Sequence, residues 1–140
     1  MTKPELVARP VASRIMAYVS GACMVAISAA ITIALPADIR AVFTPFQVGT
    51  LLACLGAVLF VLWGVARSKV VVDDSGLTVV NGYRRYEVPW TEVRGVSFRN
   101  GAPWPTLVRL DDSKVILFAI QATDGDQAKR VVKQIRGHLG

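Results

Sequence analysis

The sequence is poor in the residues that do chemistry. Its 140 residues hold one histidine and two cysteines. His138 stands two residues from the C-terminal end, the place of an exposed tail residue rather than of a catalytic base. Cys23 and Cys54 each fall inside a long apolar run, so they form neither a disulfide framework nor a metal-ligand set. No Gly-rich phosphate loop, metal-ligand spacing or nucleophile–base pattern occurs. The acidic pairs Asp73/Asp74 and Asp111/Asp112 fall at expected hairpin turns, where aspartate is favoured by turn geometry. These absences point away from catalysis, a bound metal and a cofactor.

Charge is missing from two stretches. Residues 15–35 and 46–66 carry no Asp, Glu, Lys, Arg or His, and 53% of the whole chain is hydrophobic, more than an ordinary soluble domain holds. At ~1.5 Å per residue each stretch reaches roughly 30 Å, the hydrocarbon thickness of a bilayer. Both are expected to be transmembrane helices. The first is longer than the apolar core of about 7–15 residues found in a cleaved leader. Without ionisable groups inside the spans, a proton relay or ion path is not expected, and the pair reads as an anchor. Ala22, Ala26, Ala30 and Ala34, and likewise Gly49, Ala53 and Ala57, recur at i, i+4 steps. Such stripes let helices approach closely in lipid, within one chain or in a homo-oligomer.

Acidic residues are also few, and the net charge is +6. Location gives that charge its meaning. Lys3, Arg9 and Arg14 precede the first span, and Arg67, Lys69, Arg84 and Arg85 follow the second, whereas the loop 36–45 holds Arg40 alone. Cations near a membrane stay on the cytoplasmic side. The expected protein is a multi-pass protein of the cytoplasmic membrane. Residues 1–14 form a cytoplasmic tail, 36–45 an external loop, and 67–140 a cytoplasmic domain.

That domain reads as β-strand over most of its length. Asn81-Gly82 between two β-rich runs signals a two-residue hairpin, which would set Val79 opposite Arg84 and Leu77 opposite Tyr86. Leu77, Val79, Tyr86 and Val88 would then share the core face. Pro89 has no N–H to donate, so the ladder ends there or lies at an edge. Trp90 keeps the parity of Val88 and is expected in the core, under a corner between two sheet directions of a small bent barrel. The runs from Thr106 and from Lys114 predict further strands. From Ala122 onward the apolar residues Ala128, Val131, Val132, Ile135 and Leu139 repeat at helical spacing, with Thr123 or Asp124 as the cap.

The stretch from Gly76 to Phe98, with Gly76, Leu77, Val88, Pro89, Trp90, Glu92 and Val93 at its landmarks and Trp104 in a later loop, resembles the bacterial PH-like domain. That domain occurs in small actinobacterial membrane proteins of the low molecular weight protein antigen six type. The resemblance covers about residues 71–120, with the final helix included. It implies an α+β fold, two antiparallel sheets forming a barrel or sandwich capped by a C-terminal helix, behind two transmembrane helices. It implies no enzymatic activity.

Three binding classes remain. Inositide-binding PH domains commonly carry basic residues in their first hairpin loop, and the corresponding stretch here, Asp73 to Gly76, is acidic. Residues 67–140 nevertheless hold 12 Lys/Arg against 8 Asp/Glu, so juxtamembrane Arg67 and Lys69 are expected to face anionic lipid and orient the domain without forming a specific site. Protein binding is the favoured reading: a scaffold or adaptor, with Trp104, held between Pro103 and Pro105, and nearby Arg99 as candidate contacts. Nucleic acid is not expected, because charges alternate in sign and no reader motif appears.

Overall fold

The two apolar runs form the long helices α1 (Val11–Ala34) and α3 (Pro45–Arg67), joined through a short helix α2 (Ala37–Val42). The structure, a computed structural model, describes residues 4–140. Helix α1 stops before Pro36, as a residue preceding proline is pushed out of the helical region. Helix α3 starts sharply because Thr44 forms a capping box with Gln47 and Pro45 occupies the first turn. The Thr44 hydroxyl accepts from the Gln47 amide at 3.3 Å, and the Gln47 carboxamide accepts from the Thr44 amide at 3.0 Å. Both helices are long and apolar enough to cross a membrane.

The two helices pack through a seam that the small-residue stripes did not predict. Ala17 and Gly21 are the buried positions in the apolar part of α1, and a Cβ on Gly21 would come within 3.3 Å of Leu59 Cδ2. Ala26, Ala30, Ala53 and Ala57 are exposed, and nothing lies near the open side of Gly49. At the domain end α1 follows one strand and α3 leads into another.

Those strands belong to a four-stranded antiparallel sheet in the order β1-β2-β3-β4: β1 (Leu6–Ala8), β2 (Lys69–Val72), β3 (Gly76–Asn81) and β4 (Arg84–Pro89). A second antiparallel sheet holds β5 (Val93–Ser97), β6 (Thr106–Arg109) and β7 (Lys114–Ile116), and helix α4 (Asp126–Gly137) packs across the core. The α+β class is as expected, with two open sheets rather than a closed barrel. Residues 1–14 were expected as a tail, yet Leu6, Val7 and Ala8 pair with Val72, Val71 and Val70 and form the sheet's outer strand. Three residues flanked by Arg9 and Pro10 are too short to announce a strand; β2 supplies the template.

The hairpin between β3 and β4 turns one residue later than expected. Asn81 pairs with Arg84, leaving Gly82 and Tyr83 as the loop, so Val79 faces Tyr86 and Leu77 faces Val88. Gly82 takes φ +62° as the first loop residue, whereas Tyr83 keeps a negative φ, which fits a turn needing glycine at its first position only. The shift in pairing is two residues, so parity survives: Leu77, Val79 and Val88 are buried and Tyr86 packs against them, half-buried. Arg84 is exposed at the tip.

Pro89 ends β4 on the edge of the sheet, opposite Gly76. A Cβ on Gly76 would lie 2.3 Å from the Val88 carbonyl oxygen, so this pairing demands glycine. Residues Trp90–Glu92 then make a single 3-10 turn that carries the chain to the second sheet. The run after Lys114 leaves the sheet at Ile116, but Leu117 and Ile120 still pack in the core beside Leu107 and Ile135. Helix α4 buries Ala128, Val131, Val132 and Ile135 as its periodicity predicts. Neither Thr123 nor Asp124 caps it; both lie in a preceding 3-10 turn, and Gly125 at φ +59° is the capping residue. Arg136 ties the helix to the second sheet, donating through Nε and Nη2 to the Val96 carbonyl at 3.3 and 3.1 Å.

Candidate functional site

The distinctive place in the molecule is the junction between helices and domain. The chain passes from β1 through Arg9 and Pro10 into α1, and from α3 through Ser68 into β2. Since β1 and β2 are paired neighbours, the helical hairpin continues directly into a strand pair. Ser68 is buried; its hydroxyl donates to the Gly64 carbonyl at 3.2 Å and accepts from the Gly82 amide at 3.0 Å. The hairpin tip therefore sits on the last turn of α3. Tyr83 stacks on Phe60 with ring centroids 4.2 Å apart and nearly parallel, and its hydroxyl donates to the Phe60 carbonyl at 2.6 Å. Gly64 makes room for that ring, since a Cβ there would lie 2.8 Å from Tyr83 Cε2. On the other helix, Ser13 donates to the side-chain oxygen of Gln121. The domain is held to both helices.

One side of this junction is a cavity of about 400 Å³ walled by cations: Arg9, Arg14, Arg67, Lys69, Arg84 and Arg85. They come from three separate stretches of chain, residues 9–14, 67–69 and 84–85, and no carboxylate lines the cavity. Only Arg85 has an acidic partner among the described residues, Glu87 at 2.6 Å. Arg67 lies over the Tyr83 ring, 5.3 Å from its centroid. Arg14 Nε is buried and has no hydrogen-bond partner among the described residues. Arg67 and Lys69 were expected to face lipid as separate charges; the fold joins them to four arginines that the sequence presented only as flanking charge. Nothing in their spacing signals the convergence, because the hairpin tip folding back onto α3 creates it.

Across Tyr83 lies a second, apolar cavity of about 600 Å³, walled by Phe60, Val61, Val65, Phe118 and Trp104. Trp104 is half-buried and meets Phe118 edge-on, with centroids 4.8 Å apart. Arg99 is exposed and borders a different cavity of about 370 Å³, against Lys129 and Arg136 of α4. The structure thus separates the two residues proposed as one contact: Trp104 turns toward α3 and Arg99 toward α4.

Trp90 packs against the core but remains half-buried. Its Nε1 donates to the Asp73 carbonyl at 2.9 Å, and its ring meets His138 edge-on at 4.6 Å. His138 is accordingly no free tail residue: its Nε2 also lies 2.8 Å from Glu5 Oε2, beside β1. The acidic turns serve geometry. Ser75 hydroxyl and amide donations hold the Asp73 carboxyl below its ordinary range, and Ser113 does the same for Asp111. A side-chain hydrogen bond to Glu92, 2.5 Å away, raises Arg109. Among the described residues, no three His, Cys, Asp or Glu side chains come together as a metal site would require.

Residues 67–137 match the family model of the bacterial PH domain, half of the chain, and the chain belongs to that family. PH-like domains are in general non-catalytic interaction modules. Uncharacterized proteins of Mycobacterium tuberculosis and Mycobacterium bovis are 37% identical to it over 89 residues, covering 61% of this chain and 58% of theirs. The chain thus spans less than two thirds of the length of these relatives. No solved structure matches it.

Proposed function

We propose that this chain is a non-catalytic interaction module anchored in the cytoplasmic membrane, a scaffold or adaptor whose PH-like domain faces the cytoplasm. The observation that carries the reading is the continuity of the helical hairpin with the β1–β2 pair. A domain tethered by a flexible linker samples many orientations. One that grows from both helices presents a fixed face, which lowers the ordering cost of binding a partner at the membrane. The excess of cations at the domain end supports the cytoplasmic orientation.

Partner contact falls to the exposed loop at Arg99 with the basic face of α4, because Trp104 is occupied against Phe118. Orientation is tested with Thr44→Cys and Ser75→Cys in a background of Cys23→Ala and Cys54→Ala. Residue 44 should react with an impermeant thiol reagent in intact cells and residue 75 only after lysis; the reverse labelling sinks the orientation. Partner contact is tested with a photo-crosslinking amino acid at position 99 or 104 in cells. A reproducible adduct from 99 and none from 104 is expected. Indifference to position argues against a defined protein surface.

A further inference from the structure

We infer that the basic cavity at the junction is a binding site for a phosphate-bearing anion, the headgroup of an anionic phospholipid of the surrounding leaflet. Orienting cations need only lie near the membrane, and nothing in that role makes them converge. Here Arg9, Arg14, Arg67, Lys69, Arg84 and Arg85 surround one space of about 400 Å³ without a carboxylate among them. Like charges gathered this closely repel one another, and five of the six have no acidic partner among the described residues. A bound anion relieves the repulsion. Arginine forks suit phosphate oxygens in particular, and Arg14 Nε is buried with a hydrogen to donate.

Position selects the lipid as the source. Arg14 immediately precedes the charge-free stretch of α1, and Arg67 immediately follows that of α3. The headgroup layer extends several ångströms beyond the roughly 30 Å hydrocarbon core, so these two side chains meet the phosphate plane. Tyr18 of α1 lines the same cavity, an aromatic at the depth where such residues anchor to the interface. The site lies at the hairpin tip, away from the acidic Asp73–Gly76 turn. The inference rests on the membrane-anchored reading for its source of phosphate, and on the cavity alone for its chemistry.

The test uses the full chain in zwitterionic detergent, with native mass spectrometry to count retained lipid. Phosphatidylglycerol and phosphatidylcholine of equal chain length are the probes. The wild type should retain phosphatidylglycerol and not phosphatidylcholine. The variant Arg9→Gln/Lys69→Gln/Arg84→Gln should bind phosphatidylglycerol about 100-fold more weakly, as three juxtamembrane cations are lost. The control Arg94→Gln/Arg109→Gln/Lys114→Gln removes equal charge from the second sheet and should change little. Near-UV circular dichroism confirms that both variants are folded, and the wild-type preference between lipids stands independently of either. Displacement of lipid by millimolar inorganic phosphate would assign the site to the phosphate group itself; retention against it would assign the site to the lipid. Equal retention of both lipids, or equal loss in both variants, overturns the site. Retention in micelles does not depend on orientation, so a reversed labelling pattern and an empty cavity are separate failures.

Discussion

At the scale of single residues, Trp90 shows what parity can and cannot reveal. Its place after Val88 correctly sends it toward the core, but the 3-10 turn leaves the ring half-exposed between Asp73 and His138. Trp90→Ala should therefore cost about 3 kcal/mol, the low end for a large aromatic. Trp90→Phe, which keeps an aromatic ring but loses the indole donation and part of the ring's contact area, should cost ~1–2 kcal/mol. Thermal unfolding of the full chain in detergent distinguishes the two; equal losses would mean that the hydrogen bond, not the ring, holds the corner. Asp73 makes a second prediction. Its folded-state carboxyl is depressed by Ser75, so ionisation favours the folded state above the ordinary value and that contribution is lost as pH falls through the depressed one. Stability of the Asp73–Gly76 turn should decline below about pH 4. Asp73→Asn should flatten that dependence when amide exchange at Ser75 and Gly76 is followed.

At the scale of elements, strong periodic signals were legible and borrowed structure was not. Helices α1, α3 and α4 and the β3–β4 hairpin each carry their own pattern, whether unbroken apolar length, helical stripe or turn glycine. Strand β1 carries none. It exists because the outer edge of β2 offers unpaired backbone groups and because Leu6 and Ala8 find the core edge. Removing residues 1–9 should lower the domain's stability by ~2 kcal/mol and raise amide exchange in β2. The bared edge should also promote self-association. Unchanged exchange in β2 would show that β1 contributes nothing to the sheet. The small-residue stripes teach the converse lesson: a regular pattern was present in both spans, and the packing used Gly21 against Leu59 instead.

At the scale of the whole molecule, the hairpin tip decides how domain and helices are joined. Tyr83 reaches back along α3 to the Phe60 carbonyl, over a gap that only Gly64 leaves open. Gly64→Ala should push the ring away and loosen the domain on its helices, and Tyr83→Phe should do so less, since stacking on Phe60 survives. Spin labels on Val58→Cys and Lys114→Cys would report this as a broadened distance distribution for Gly64→Ala. A distribution as narrow as that of the native glycine would show that the tip is not the clamp.

Length, hydropathy and turn chemistry by themselves determined two apolar helices, an antiparallel β module after them and a closing amphipathic helix. These are local properties, written in consecutive residues. The end of the ladder at Pro89 was also legible, because a missing N–H is a fact about a single residue, but its pairing with Gly76 was not, since the expected register set Gly76 opposite Glu87. What only the tertiary structure decided is which distant residues meet. A loop turning at Gly82–Tyr83 instead of Asn81–Gly82 preserves every buried face, so hydrophobic pattern cannot detect it, yet it sets the tyrosine on α3. The same folding back completes a cavity that gathers six cations from three stretches of chain. Charge convergence of this kind has no sequence period, because it depends on the angle at which a hairpin meets a helix.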